Sequence, residues 1–268
     1  KEYRRQRQMC IRDRPSAAQV SQEFGQSLQA FYGARIAEIL HHPRYRLHVL
    51  TSAGRHILRR EGPWRTALGY AGAYLANAGS RAWLGAWLQR VVFTAQPDHG
   101  LPFDPSDFPT QRVALTETNF MPALQASCSI PFVLQAVHDI PLAQPGAHWD
   151  GGITDYHLHL DYRSQSGLVL YPHFQPHVVP GWLDKARSKR HRASAFFDSM
   201  ILLCPTPEWI AALPGAKLPD RTDFTRYATD LAGRIQIWQT AVSAAEQLAQ
   251  EWAQWVENPD PHWVEPLP

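Results

Sequence analysis

The stretch Ala126-Ser127-Cys128-Ser129-Ile130-Pro131, followed after a gap by Trp149-Asp150-Gly151-Gly152-Ile153-Thr154-Asp155, decides how this chain is read. The first part is the apolar end of a helix running into a proline, which pushes the preceding residue out of the α region. The second part places an acid at the edge of a short apolar segment. Two glycines follow it, and glycine adopts φ > 0 without steric cost. Asp150 is therefore expected on a sharply turned, rigid loop. Two readings of that loop stand side by side. One is an Asp-Gly turn that holds a hairpin together. The other is a fixed carboxylate available for chemistry.

Upstream of this stretch, helical and strand patterns alternate. Val20, Phe24, Leu28, Phe31, Ile36, Ile39 and Leu40 recur at three- and four-residue steps behind a potential N-cap, Ser16. His41-His42-Pro43 ends that helix. Arg46–Thr51, Arg90–Thr94 and Arg112–Leu115 read as strands. The segment from Trp64 to Trp87, rich in alanine, glycine and aromatics, reads as two helices broken near Gly79. Thr118 or Asn119 should cap a helix running to Ala126.

Downstream, Gly167–Tyr171 and Met200–Cys204 are continuous apolar runs, the pattern of strands buried on both faces. Leu231, Ile235, Trp238, Val242, Ala245, Leu248 and Trp252 lie on one stripe of a long helix, which points to core packing. Alternating helices and buried strands predict an α/β fold, with a mostly parallel central sheet flanked by helices. No internal repeat or domain boundary stands out, so residues 16–268 read as a single domain.

Charge separates the first residues from the rest. Residues 1–14 hold six basic and two acidic side chains, so of the formal net charge of +2 the tail carries +4 and the body −2. The run Gln8–Arg14 looks like translated sequencing-adaptor read-through, and residues 1–15 are expected to be a basic arm foreign to the fold. The mildly acidic body has no basic footprint for nucleic acid. The three cysteines, Cys10, Cys128 and Cys204, lack disulfide-framework or metal-ligand spacing. Cys128 and Cys204 sit in apolar segments and read as buried thiols.

Together, Ala-Ser-x-Ser-Ile-Pro and the later Asp-Gly-Gly resemble the patatin-like phospholipases, over most of the chain from Ser16 onward. The resemblance implies lipid acyl hydrolysis by a Ser-Asp dyad, with Asp150 as the base and Gly151 and Gly152 shaping its loop. It implies a three-layer patatin-like fold, a lipid or small ester substrate, and neither metal nor organic cofactor. The expected setting is the cytoplasm or the periphery of a membrane.

The family also places a glycine-rich oxyanion loop and a Gly-x-Ser-x-Gly elbow upstream of Asp-Gly-Gly, and this chain has neither. The nearest string, Gly25-Gln26-Ser27-Leu28-Gln29, lies inside a helical pattern and lacks the second small residue that the elbow needs. Ser127 and Ser129 belong to the signature and read as packing or capping residues. The expectation is a fragment that lacks the N-terminal βα units and, with a base but no nucleophile, is inactive as it stands. The alternative is a non-catalytic relative that keeps the fold as a binding or scaffold module.

Two further readings attach to the same region. His157, His159, His173 and His177 follow Asp150 and Asp155 closely and could be metal ligands, although they show no recognised zinc spacing. The segment Trp182–Arg192, with its arginines and lysines, could touch a membrane surface.

Overall fold

The computed structural model describes residues 16–163 and 167–267. The expected basic arm, residues 1–15 with Cys10, lies outside the described residues. By internal contacts the chain divides into two units. One comprises residues up to Gly167 together with Val178–Ser199; the other comprises Leu168–His177 and Met200–Pro268.

The first unit is α/β. Helix α1 (Ala17–Tyr32) opens on a capping box in which the Ser16 hydroxyl accepts from the Gln19 amide and the Gln19 side chain accepts from the Ser16 amide. A tight turn joins it to α2 (Ile36–Leu40), which ends at His41. Then come β1 (His48–Gly54), α3 (Pro63–Gly79), α4 (Arg81–Leu84), β2 (Leu88–Thr94), β3 (Thr110–Ala114) and α5 (Glu117–Ser127). Strands β4 (Val137–His138) and β5 (Ala147–Asp150) follow, and the short helix α6 (Gly152–Asp155) leaves directly from β5. Thr116, not Thr118 or Asn119, caps α5; Asn119 is the reciprocal partner in the capping box.

The five strands form one sheet in the order β3-β2-β1-β5-β4. This corrects the expectation of a mostly parallel sheet. Only β2 and β3 run parallel, while β1 pairs antiparallel with both β2 and β5, and β4 antiparallel with β5. The reason lies in the α3–α4 excursion. Its two helices, broken at Gly79-Ser80, bring the chain back to the end of the sheet where it left. There the Arg55 amide donates to the Trp87 carbonyl at 2.8 Å. A crossover carried by one helix would have delivered β2 parallel to β1; a returning pair makes it antiparallel.

Alternation along the strands gives each face of the sheet its own core. Val49, Val91, Phe93 and Val113 pack with Phe120, Ala123 and Ala126 of α5 and Leu40 of α2. On the other face Leu88 and Trp149 pack with Leu58, Tyr70, Ala73 and Leu84 from the α3–α4 side, and with Ile153 of α6. Gly69 of α3 lets Leu58 lie against the helix axis, since a Cβ there would stand 2.4 Å from a Leu58 methyl.

A charge is buried inside that second face. Arg90, mid-strand in β2 and fully buried, donates to both carboxylate oxygens of Asp155 at 2.6 and 2.8 Å. It also forks onto Asp107 at 2.8 and 3.1 Å. Arg81 reaches Asp155 at 3.1 Å, and the Thr154 hydroxyl donates to Asp155 at 2.9 Å. The Phe103 and Phe108 rings lie close to the Arg90 guanidinium. All three Arg90 guanidinium nitrogens and both Asp155 oxygens have partners, the condition under which a buried ion pair is tolerated.

The second unit contains β6 (Val169–Pro172) and β7 (Met200–Leu203), paired parallel as a two-stranded sheet. Helices α7 (Pro207–Ala212), α8 (Asp223–Arg226) and the long α9 (Leu231–Glu257) complete it. Both apolar runs are strands, but no residue in either is fully buried, because the pair forms its own small sheet. The stripe expected to be core on α9 is also largely open: Leu231, Ile235 and Val242 are exposed, and of the helix only Ala241 is buried.

Removing one partner from a buried pair strands the other charge, at a cost of about 3–5 kcal/mol. Arg90→Met and Asp155→Asn should each destabilise the first unit by about that amount in urea unfolding. Burial alone would raise the Asp155 carboxyl, but contact with Arg90 and then Arg81 holds it below the ordinary range. Its stabilising contribution is therefore complete above the unfolded-state carboxylate pKa and disappears as pH falls through the lower folded value. The parent should lose stability on acidification through that window, and the Asp155→Asn curve should be flatter.

Candidate functional site

Asp150 is the last residue of β5, where the strand ends and α6 begins. Two backbone contacts fix it. Its amide donates to the Ser129 carbonyl at 3.0 Å, and its β1 partner in the register is Thr51. The Ser-x-Ser-Ile-Pro segment therefore lies directly beside the acid. Ser129 is buried, with its hydroxyl donating to the Gln125 carbonyl at 2.9 Å, so it closes α5 and offers its own carbonyl to Asp150.

The glycines act differently from the expectation. Gly151 has φ −60° and ψ −29°, ordinary right-handed values, and Gly152 is the first residue of α6. Positive φ plays no part at either position. Gly151 is needed because the chain crosses β1 closely: a Cβ would stand 2.3 Å from the Leu50 carbonyl oxygen. At Gly152 a Cβ would stand 3.0 Å from an Asp150 carboxylate oxygen, beside the 2.7 Å bond from the Gly152 amide to that same oxygen. The two glycines let backbone approach β1 and let an amide reach the carboxylate.

The Asp150 carboxylate is half-buried, and the Gly152 amide is its hydrogen-bond partner among the described residues. Burial raises its pKa above the usual aspartate value; the Gly152 amide and the positive charge of Lys185 offset part of that rise. Lys185 sits over the Tyr156 ring, its ammonium 4.1 Å from the centroid. Three further groups feel the Asp150 charge or share its surroundings. Tyr70, on the inner face of α3, packs edge-on against Trp149 with ring centroids 6.0 Å apart. Its hydroxyl is buried with no hydrogen-bond partner among the described residues. Burial first, then the charges of Asp150 and Glu61, push the Tyr70 phenol well above its ordinary range.

Cys128 is exposed rather than buried, a correction to the reading of its apolar surroundings, and Cys204 is half-buried. Partial desolvation and the Asp150 charge raise the Cys128 thiol, so it is held as the neutral form and not as a thiolate nucleophile. The exposed Phe132, at φ +69°, stands 6.0 Å from the Tyr70 ring and extends the apolar surroundings of the site.

The other sequence candidates fall elsewhere. Ser27 is on the exposed side of α1 and donates to the Glu23 carbonyl at 2.9 Å, as a helical serine does. His157 Nδ1 accepts from the Val179 amide at 3.0 Å. His159 Nε2 is 3.3 Å from the Ser194 hydroxyl, with its ring against Phe196 and Phe197. His173 and His177 belong to the second unit. Among the described residues no group of three or more His, Cys, Asp or Glu side chains is placed to hold a metal ion.

Tyr70 and Glu61 were not among the sequence candidates, and Lys185 was marked only as part of the basic segment Trp182–Arg192. Nothing local places them at the site, because each reaches it from a different element. No protein-family model, curated protein or solved structure matches the chain.

A carboxylate with a raised pKa destabilises the folded protein once it ionises. The cost is absent below the unfolded-state pKa, grows as pH rises from that value to the folded one, and is complete above it. Asp150→Asn keeps the acceptor for the Gly152 amide but carries no charge. It should melt higher than the parent at neutral pH, and the difference should vanish on acidification below the ordinary aspartate pKa.

Proposed function

We propose that this chain is the carboxylate-bearing part of a patatin-like lipid acyl hydrolase. On this reading Asp150 is the general base of a Ser-Asp dyad that cleaves carboxylic esters through a serine ester intermediate. The observation that carries the proposal is the state of Asp150. It is a half-buried carboxylate with a raised pKa, held by backbone bonds to the Ser-x-Ser-Ile-Pro segment and to Gly152. A base works best when its pKa is lifted toward the working pH and its position is fixed. Support also comes from Tyr70, which feels the Asp150 charge, and from the exposed Phe132 against the Tyr70 ring, an apolar group that suits an acyl chain.

Among the described residues no serine or threonine hydroxyl is hydrogen-bonded to Asp150. The proposal therefore assigns the nucleophile and the oxyanion donors to a segment preceding Ser16, and with them the first βα units of a three-layer patatin-like fold. The carboxylate would take the serine proton as the hydroxyl oxygen attacks the ester carbonyl, and would return it to the leaving alkoxide. The rival reading is a patatin-fold binding or scaffold module without turnover. It is favoured by the same lack of a hydroxyl at Asp150.

The test is ester hydrolysis on short-chain nitrophenyl esters. Residues 16–268 alone should show no turnover above background. The product of the complete reading frame should be active, and should be labelled on a serine by a fluorophosphonate. In that protein Asp150→Asn should lower kcat by roughly two to four orders of magnitude. Turnover unchanged by Asp150→Asn sinks the base assignment, and a complete protein with no reactive serine leaves the binding module.

A further inference from the structure

Helix α3 carries apolar residues on opposite faces, and only one of those faces is covered by the protein. Its inner face carries Tyr70 and Ala73 into the core. On its outer face Trp64, Leu68 and Leu75 are 80, 62 and 70% exposed. They recur at four- and seven-residue steps, so they form one stripe, with Ala71 between them. Trp83, 63% exposed, follows on α4. Contiguous exposed apolar surface of this kind marks an interaction site. Among the described residues no helix is long and apolar enough to cross a membrane.

The charges around the stripe say what covers it. Between Arg55 and Arg90 the sequence holds six arginines and a single acid, Glu61. Arg55, Arg81 and Arg90 are used internally, on the Gly85 carbonyl, on Asp155, and on Asp155 with Asp107. Arg59 and Arg60, just before α3, and Arg65 in its first turn are exposed, with the Arg59 Nε donating to the Pro145 carbonyl at 3.2 Å. Glu61 is half-buried and accepts from the Ala136 amide at 3.2 Å, and α3 itself contains no acid. A local excess of exposed positive charge thus borders an apolar stripe with tryptophan at its N-terminal end and just beyond its C-terminal end, in a body that is otherwise net negative. Tryptophan at the boundary, aliphatic side chains between and arginines at the rim are the chemistry of an interfacial helix lying in the plane of an anionic bilayer.

We propose that the outer face of α3 docks onto an anionic lipid surface, with Trp64, Leu68, Leu75 and Trp83 entering the headgroup region and Arg59, Arg60 and Arg65 binding lipid phosphate. This places membrane contact on α3 rather than on Trp182–Arg192. The proposal does not rest on the ester-hydrolase reading, and its test involves no turnover.

The experiment is vesicle co-sedimentation of the full chain, with tryptophan fluorescence as a second readout. Vesicles of phosphatidylcholine alone are compared with vesicles containing about one-third phosphatidylserine, an anionic surface that attracts basic side chains. The chain should bind the anionic vesicles, with a blue shift in emission, and bind the neutral ones more weakly. Leu68→Glu with Leu75→Glu should lower the partition at least about tenfold on both. Arg60→Glu with Arg65→Glu should lower it about tenfold or more on the anionic vesicles alone. All four positions are exposed, and circular dichroism confirms that the variants fold. Folded parent that stays in the supernatant with anionic vesicles overturns the proposal. So does equal binding by the Leu68→Glu/Leu75→Glu variant. A concentration-dependent dimer that this variant abolishes, without vesicle binding, overturns it in favour of a second copy of the chain.

Discussion

The buried Arg90–Asp155 pair is the constraint on which the first unit depends. Arg90 stands in the middle of β2, on the face that packs against α3 and α4, where a leucine would be the ordinary choice. Its guanidinium cannot be left bare in that position, so the chain must deliver carboxylates to it. Asp155 arrives from α6 and Asp107 from the turn before β3. Arg81 meets Asp155 from α4. Four separate segments are thereby referred to one point. Such a pair adds little net stability over an apolar core, but it penalises every arrangement that leaves one of its members alone. Here it selects the one docking of α6 that sets the end of β5.

Asp150 inherits its position from that selection. Four residues separate it from Asp155, and the link is stiff: the Asp155 amide donates to the Gly151 carbonyl at 2.9 Å, and Gly151 lies against Leu50 of β1 too closely for any side chain. From the other side, the end of α5 supplies the Ser129 carbonyl to the Asp150 amide. A carboxylate held at both ends by backbone keeps its place even though its own environment disfavours its charge. In this it differs from Asp155, whose charge is met by Arg90, Arg81 and the Thr154 hydroxyl.

Much of this was legible in the sequence, and what was not has physical reasons. Each expected strand and helix exists, with ends shifted by a few residues. The link between Ser129 and Asp150 could be anticipated as a pair of motifs. Strand direction could not, because hydrophobic pattern specifies a buried face and says nothing of polarity, and the closing bond from Arg55 to Trp87 spans the whole α3–α4 excursion. The ion pair was hidden for a similar reason: Arg90 and Asp155 are 65 residues apart, and each alone looks like a surface residue. The glycines after Asp150 pointed to a special backbone, but the special feature is proximity to Leu50 rather than a positive φ. On α9 a regular apolar stripe suggested a core, but periodicity records only that a face is apolar, not that anything covers it. The stripe on α3 carries the same ambiguity, with exposed arginines beside it.

Asp150 is a poorly solvated carboxylate held in place by the architecture around the Arg90–Asp155 pair. The most direct test is a carbon-13 NMR titration of the Asp150 side-chain carboxyl, assigned by its loss in Asp150→Asn. The expected result is an apparent pKa above the ordinary aspartate value, in a protein whose Asp155 carboxyl titrates below it. An Asp150 carboxyl that titrates at or below the ordinary value would mean that it is well solvated or paired in the folded protein.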